Sequence, residues 1–274
     1  MRYRLFAFDL DGTLLSPDGT IAPETQAFLA EVRTEARITL STGRSLASAQ
    51  RYIRDLAITD PVVLYHGAVV WDPVAREPLL ERRIPDREAR HALAALALWP
   101  VHVQAYAAVR DPAVYVARVT PPIAQFLAKE RLQVEEVHDL SKFLPRSPAK
   151  LLAIGEPDVL ALAEHSLREA VPTLTVVRSE QTYLEVLPPG VSKGEGLGWL
   201  CSHLRIEWVD VVAVGDQMSD LTMIERAGLG VAMALAPAPL REKADLVVGS
   251  VEEIRNALDP ATERRGVRCR SSSA

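Results

Sequence analysis

Cysteine, asparagine and long apolar stretches are scarce in this sequence. The two cysteines, Cys201 and Cys269, allow no disulfide framework and lack metal-ligand spacing, and Cys201 is predicted to be a small buried apolar residue on a helix. The longest apolar runs, such as residues 92–99, are far shorter than a membrane span. An acidic residue occurs as early as Asp9, which is unlike a signal peptide. We therefore expect a cytoplasmic protein with no membrane partner.

Neither sign of charge is in large excess. The chain has 31 lysines and arginines against 36 aspartates and glutamates, and the formal net charge of −5 predicts no nucleic-acid-binding surface. A hydrophobic fraction of 48% and a charged fraction of 24% are typical of a globular protein. The length of 274 residues suits one or two domains. Nothing in this composition implies an obligate protein partner.

An apolar run, LFAF at residues 5–8, leads directly into DLDGT at residues 9–13. A short apolar run that ends near a glycine predicts a buried parallel strand. Ligands of an open α/β sheet bind beyond the carboxyl ends of its strands, where Asp9 and Asp11 would lie. Two close carboxylates repel each other unless one is protonated or a cation joins them, and Mg²⁺ prefers such oxygen ligands.

Three interpretations of this segment, taken alone, stay open. A strand followed by a solvated Asp-Gly turn is common. A calcium loop also begins Asp-x-Asp, but its glycine is the sixth residue, whereas Gly12 is the fourth. The third interpretation is a phosphoryl-transfer site with an aspartate nucleophile.

A second apolar run, at residues 38–40, is followed by STGRS at residues 41–45. Hydroxyls, backbone N–H groups and Arg44 at such a turn suit an oxyanion or a phosphate. An ordinary Ser/Thr helix cap is the alternative. The segment is thus a candidate phosphate-binding turn.

Two later segments add a lysine and two more carboxylates. Lys193 lies in the first turn of a predicted helix, where the helix dipole disfavours a cation. The strand at residues 209–214 ends in GDQMSD, whose Asp216 and Asp220 could cap the following helix instead. A parallel sheet would gather all these groups at one edge, and together they match the needs of phosphoryl transfer.

The order of the predicted elements indicates an interrupted domain. Alternating strands and helices in the first and last parts predict an α/β domain with a doubly wound parallel sheet. Adjacent strands in the middle predict an inserted α+β module. We expect a discontinuous core of residues 1–81 and 189–263, a cap domain of residues 82–188, and a disordered tail of residues 264–274.

Four motifs in this order resemble those of the haloacid dehalogenase superfamily of aspartate-nucleophile phosphatases. They are DLDGT at residues 9–13, STGR at 41–44, GVSKG at 190–194 and GDQMSD at 215–220. The inserted module resembles the type IIB cap of the Cof-like sugar-phosphate phosphatases. The resemblance implies a Rossmann-like core, and a Mg²⁺-dependent phosphatase that acts on a small phosphorylated metabolite, with a sugar phosphate expected.

The resemblance also implies roles for the acidic residues. Asp9 would attack phosphorus and form an aspartyl-phosphate. The carboxylate of Asp11 would protonate the leaving alcohol and then deprotonate the hydrolytic water. Mg²⁺ would be bound by the side chains of Asp9 and Asp216 and by the main-chain carbonyl of Asp11.

For the remaining motif residues, the resemblance implies contacts with the phosphate and its surroundings. Thr42 and Lys193 would hold the phosphoryl oxygens, and Lys193 would also take part in catalysis. Gly43 and Arg44 would border the substrate. Asp220 would orient Lys193 or a metal-bound water.

The sequence departs from the family pattern at three positions. The family usually has asparagine where Gln217 and Ser219 stand, and Asn-Gly where His66 and Gly67 stand. Ser219 would support the metal site through a bridging water instead of an amide. For His66 a structural place in the loop is expected, with substrate contact as the alternative.

The resemblance implies that the cap selects the substrate. Four charged candidates lie there, although each is expected to be a solvated surface charge: Arg110, Arg118, Lys150 and Glu185. A phosphomutase of the same branch and a non-catalytic phosphometabolite-binding protein are the rival functions. An ion-pumping ATPase uses a similar aspartate, but the sequence has no membrane spans for it.

Overall fold

The computed structural model describes residues 2–107, 109–142, 144 and 147–258, so the predicted tail lies outside the described residues. The strands are β1 (Leu5–Phe8), β2 (Arg37–Leu40), β3 (Val62–Leu64), β4 (Val69–Asp72), β5 (Glu77–Glu81), β6 (His102–Tyr106), β7 (Ala113–Val116), β8 (Gln133–Glu136), β9 (Lys150–Ile154), β10 (Thr175–Glu180), β11 (Tyr183–Leu187), β12 (Val211–Gly215), β13 (Leu229–Met233) and β14 (Leu246–Val248). The α-helices are α1 (Pro23–Arg33), α2 (Leu46–Asp55), α3 (Asp86–Leu96), α4 (Pro121–Glu130), α5 (Pro157–Ala170), α6 (Lys193–Leu204), α7 (Leu221–Ile224), α8 (Ala238–Lys243) and α9 (Arg255–Leu258). None of the helices within these residues is long and apolar enough to cross a membrane.

A parallel sheet of five strands confirms the predicted α/β core. Its order is β14-β13-β12-β1-β2, and every neighbouring pair is parallel. The chain runs outward from β1 to β2 on one side and from β12 to β14 on the other. This order creates a switch point between β1 and β12, where the connections that leave the two strands go in opposite directions and ligands of such sheets bind.

The strands of this sheet form because their residues are almost wholly apolar and buried. All four residues of β1 and all five of β12 are buried, as expected for strands covered on both faces. Their apolar runs made both strands predictable from the sequence.

A three-stranded sheet has the order β3-β4-β5, in which β3 and β4 are antiparallel. No pattern in the sequence revealed β5. Its sequence, EPLLE, contains a proline and is only half-buried, so it carries neither an apolar run nor a regular alternation.

The inserted module is a six-stranded sheet of order β10-β11-β9-β6-β7-β8. All of its pairs are antiparallel except β7 and β8, which are parallel. Its core joins buried residues of the helices α3 and α5 to buried residues of the sheet, for example Leu96, Leu151, Leu160 and Leu184. The predicted α+β character of the module is confirmed.

The chain divides into two compact units. The first comprises the chain up to Thr42, Tyr52–Glu77 and the chain from Ser192 onward; the second comprises Gly43–Arg51 and Pro78–Val191. The sequence-based boundaries, 1–81 with 189–263 around 82–188, did not include the segment Gly43–Arg51 in the inserted part. They stay a proposal for the domain organisation.

Candidate active site

Asp9 stands at the switch point of the parallel sheet. It follows β1 directly, and its main-chain N–H donates to the carbonyl of Val214 in β12 at 3.0 Å. The residue is only 4% exposed. The backbone of Asp9 is thus fixed on one side by β1 and on the other by β12.

Asp216 faces the segment that follows β1. It accepts from Thr13 Oγ1 at 3.3 Å and from Gln217 Nε2 at 2.9 Å. Gly12 has a φ of +78°, and a Cβ added there would overlap the Asp216 carboxylate. A glycine is therefore required at this turn, both for its left-handed backbone and for the approach of Asp216.

Asp220 organises the loop after β12. Its Oδ2 accepts from the main-chain N–H groups of Asp216 at 3.0 Å and Gln217 at 2.9 Å. Its Oδ1 accepts from Lys193 Nζ at 2.6 Å. Asp220 thus joins the turn after β12 to Lys193, since one oxygen accepts from the turn and the other from the lysine.

Lys193 links the two strand ends. It is the first residue of α6, and its ammonium donates to Asp9 Oδ1 at 2.6 Å as well as to Asp220. The side chain is 3% exposed. The cost of a cation at a helix N-terminus is offset by two carboxylates in direct contact.

Burial and like charge act together on these acids. Burial raises the pKa of Asp9 well above its usual range against the opposing effect of Lys193, and Asp220 and Asp216 raise it further. Burial is also the main cause that raises the pKa of Asp216 to about 6, and Asp220 adds to it. Burial would lower the pKa of Lys193, but Asp220 and Asp9 outweigh it and raise that pKa.

The cluster has the composition of a site for a hard divalent cation. One carboxylate oxygen from each of Asp9, Asp216 and Asp220 lies within 4.8 Å of the others. When all three carboxylates are ionised, the ammonium of Lys193 balances only one of them, so the buried cluster keeps two uncompensated negative charges. An all-oxygen set with that charge suits Mg²⁺.

The turn after β2 is tied to the same edge of the sheet. Ser41 donates its main-chain N–H to Phe8 at 2.8 Å, and Thr42 donates its own to Val63 at 2.9 Å. Both residues are buried. The predicted phosphate-binding turn thus begins beside β1, which Asp9 follows, because β2 is the neighbour of β1.

The remaining predicted site residues lie in different surroundings. The side chain of Asp11 is exposed and outside the cluster of three carboxylates. Ser219 is half-buried in the turn that precedes Asp220. Gly43 and Arg44 belong to the second unit, where the Arg44 guanidinium forms a buried ion pair with Glu130.

The expectation of solvated charges in the inserted module is wrong for two residues. Lys150 and Glu185 are buried and form an ion pair at 2.7 Å, and Lys150 also donates to the Gly43 carbonyl at 3.0 Å. Arg110 and Arg118 are exposed, as expected. Partners on neighbouring strands explain the difference, and no local sequence signal identifies such a pair.

Sequence reasoning gave no role to Thr13, Gln217 or Thr222. The first two hold Asp216, and the hydroxyl of Thr222 accepts from the main-chain N–H of Gly194 at 3.0 Å. Thr222 thereby fixes the first turn of α6 next to Lys193. The only sequence signal was that each residue lies within three positions of a motif aspartate.

The glycines of α6 have a packing explanation. A Cβ at Gly194 would lie 2.5 Å from the carbonyl of Thr222, and one at Gly196 would lie 2.6 Å from the Cα of Gly67. Residues without a side chain are needed at both positions because the helix lies directly against other backbone.

Comparisons with known proteins agree with this architecture. The family model described as haloacid dehalogenase-like hydrolase matches residues 6–258. The stress response protein YhaX of Bacillus subtilis is 30% identical over 263 residues, which cover 92% of this chain and 90% of that protein. The HMP-PP phosphatase of Serratia proteamaculans is 31% identical over 251 residues, which cover 87% and 86%. The solved structure of the HAD subclass IIB sugar phosphatase BT4131 has the same fold, with a TM-score of 0.78 at 19% identity over 96% of this chain and 99% of that one.

Proposed function

Since the chain belongs to the haloacid dehalogenase-like hydrolase family and is a phosphatase of that family, we propose that it hydrolyses the phosphate monoester of a small metabolite through a phosphorylated Asp9. The observation that carries this proposal is the buried contact of Asp9 with Lys193, beside the carboxylates of Asp216 and Asp220. A relative named as an HMP-PP phosphatase and a structural neighbour described as a sugar phosphatase support a small phosphorylated substrate, with a sugar phosphate as our first candidate.

In the first step a carboxylate oxygen of Asp9 attacks phosphorus, and the bond from phosphorus to the ester oxygen breaks. The rigid backbone of Asp9 favours this attack because it holds the nucleophile in one orientation. The ammonium of Lys193 reduces the repulsion between the carboxylate and the phosphate dianion. Mg²⁺, held by Asp9, Asp216 and the main-chain carbonyl of Asp11, would supply further positive charge for the phosphoryl oxygens.

Asp11 is the proposed acid and base. Its carboxyl gives a proton to the leaving alkoxide in the first step. In the second step it takes a proton from the water that attacks phosphorus, the bond between Asp9 and phosphorus breaks, and inorganic phosphate leaves. Its exposed side chain supports this shuttle, because a group that exchanges protons with substrate and water needs access to both.

Thr42, Gly43 and Arg44 are proposed to contact the substrate. The buried Thr42 is fixed through its main chain and would donate its hydroxyl to a phosphoryl oxygen. Gly43 and Arg44 would border the substrate, and the inserted domain would act as the cap that selects it. A cytoplasmic location also remains part of the proposal.

Phosphate release tests this function. Wild type and Asp9→Asn are assayed with a panel of small phosphate esters, with added Mg²⁺ and with a chelator. We expect release that requires the metal and is lost in the variant. Appreciable release by Asp9→Asn would contradict the nucleophile, and conversion of a sugar phosphate to its isomer without release would indicate a mutase.

A further inference from the structure

Three consecutive residues after β3 have a left-handed backbone. The φ angles of Tyr65, His66 and Gly67 are +51°, +54° and +99°. Only the glycine adopts this region readily, since it is uncommon for any residue with a Cβ and least common for bulky side chains such as tyrosine. Backbone of this kind persists only where its surroundings enforce it, and it concentrates at functional sites.

On one side, this turn contacts the candidate phosphate-binding turn. The main-chain N–H of His66 donates to the carbonyl of Thr42 at 3.0 Å, while the N–H of Thr42 donates to Val63 at 2.9 Å. Both main-chain groups of Thr42 are thus held by β3 and the turn that follows it. These two hydrogen bonds fix the direction of the Cα–Cβ bond of Thr42, and so the place of the Cβ atom that carries the hydroxyl.

On the other side, the turn lies against the first turn of α6. A Cβ at Gly67 would overlap the carbonyl of Ser192, and a Cβ at Gly196 would lie 2.6 Å from the Cα of Gly67. Lys193 follows Ser192 directly, so the position of its backbone depends on this close approach. The left-handed turn therefore touches both segments that are proposed to hold the phosphoryl group.

We propose that the left-handed turn Tyr65–Gly67 is a positioning element of the phosphate site, and that His66 acts in it through its main-chain N–H and not through its imidazole. The turn sets the spacing between Thr42 and Lys193, which would meet different oxygens of one phosphoryl group. This inference rests on the proposed phosphatase function. It makes His66 a positioning residue, since the group it acts on is Thr42 and not the substrate.

Substitutions at position 66 distinguish a role of the backbone conformation from a role of the imidazole. Asparagine and glycine both accept a left-handed backbone, whereas valine is strongly disfavoured there. We expect His66→Asn and His66→Gly to keep kcat/KM within about threefold of wild type. His66→Val should lower kcat/KM by about tenfold to a hundredfold, the loss expected when a contact group moves by an ångström or less.

Inhibition by inorganic phosphate gives a readout that loss of fold would not mimic. For His66→Val, the phosphate concentration needed for half inhibition should rise in parallel with the loss of kcat/KM. All variants are measured where circular dichroism shows them folded. If His66→Val does not fold, His66→Ala replaces it, because alanine lacks the polar group that makes the left-handed region tolerable for asparagine.

A double variant tests the link to Thr42. In the Thr42→Ala background, the substitution His66→Val should raise the phosphate concentration needed for half inhibition by less than about twofold. The hydroxyl that the turn positions is already absent there. If His66→Val acted through a general structural effect, the increase in that phosphate concentration in the double variant would instead be the product of the increases in the two single variants.

Several results would overturn the inference. Asparagine and glycine variants as impaired as the valine variant would show that the imidazole acts. A valine or alanine variant equal to His66→Asn would show that the turn positions nothing. Absence of phosphate release by wild type with Mg²⁺ would instead contradict the proposed function, so the two failures are distinguishable.

Discussion

Replacing Lys193 by methionine measures what the buried cation contributes to the fold. The ammonium lies 2.6 Å from a carboxylate oxygen of Asp9 and 2.6 Å from one of Asp220, and all three side chains are buried. Methionine has a similar length but no charge, so the substitution leaves two adjacent carboxylates without their counterion. Removal of one partner from a buried ion pair costs roughly 3–5 kcal/mol. We expect Lys193→Met, with a chelator present at pH 7, to lose about that much free energy of unfolding.

Urea unfolding followed by circular dichroism measures this loss, provided that the dependence on urea is the same in both proteins. The matched control is Lys243→Met, since Lys243 is 60% exposed and lies 3.6 Å from Glu225. That variant should lose less than about 1 kcal/mol, as exposed pairs do. The double variant Lys193→Met with Asp220→Asn should be more stable than Lys193→Met alone, because one of the two stranded charges is removed. A loss no greater than that of the control, or a double variant less stable than the single one, would refute the reasoning.

Three further predictions concern packing, thiol reactivity and catalysis. Gly196→Ala should lower the free energy of unfolding by about 1–3 kcal/mol in urea, because its Cβ would meet backbone, whereas Gly198→Ala, whose Cβ would meet only side chains, should cost less; equal losses would contradict the packing explanation. Burial raises the pKa of the Cys201 thiol to about 12, so in a Cys269→Ser background at pH 8 a disulfide reagent should label it only after unfolding; stoichiometric labelling of the folded protein would contradict this. Asp11→Asn should lower kcat by roughly a hundredfold or more in a phosphate-release assay, and an unchanged kcat would remove its role as acid and base.

The sheet edge could be predicted because its signals are local. The strands β1 and β12 are short apolar runs, and each is followed immediately by an aspartate, Asp9 or Asp216. Parallel strands bring such residues to one edge whatever their distance along the chain. Lys193 and Asp220 were candidates for the same reason, at the start of a predicted helix and after a predicted strand, and the structure brings both to Asp9.

Long-range partners could not be predicted. The ion pair of Arg44 with Glu130 and that of Lys150 with Glu185 join residues far apart in the sequence. Nothing near either residue of a pair indicates that its charge is buried. Such contacts depend on which strands and helices become neighbours, and they appear only once the fold is known.

Backbone conformation also escaped the sequence. His66 was expected to have a structural place in its loop, and it lies in a buried turn beside Thr42, but no sequence pattern indicated the left-handed backbone. The glycine after it hinted at a turn, but not at three successive left-handed residues. The close approach of α6 to Gly67 is a tertiary contact, which no local pattern indicates.

Trapping the covalent intermediate is the most direct test of the account. Wild type, Asp11→Asn and Asp9→Asn are mixed with Mg²⁺ and a phosphate ester that the wild type hydrolyses. The reactions are quenched in acid within the first turnovers, and the proteins are digested for mass spectrometry. We predict one added phosphoryl group on Asp9, in larger yield in Asp11→Asn if its second step is slowed more than its first, and none in Asp9→Asn. A phosphoryl group on another residue, or phosphate release by Asp9→Asn, would contradict the claim that Asp9 is the nucleophile.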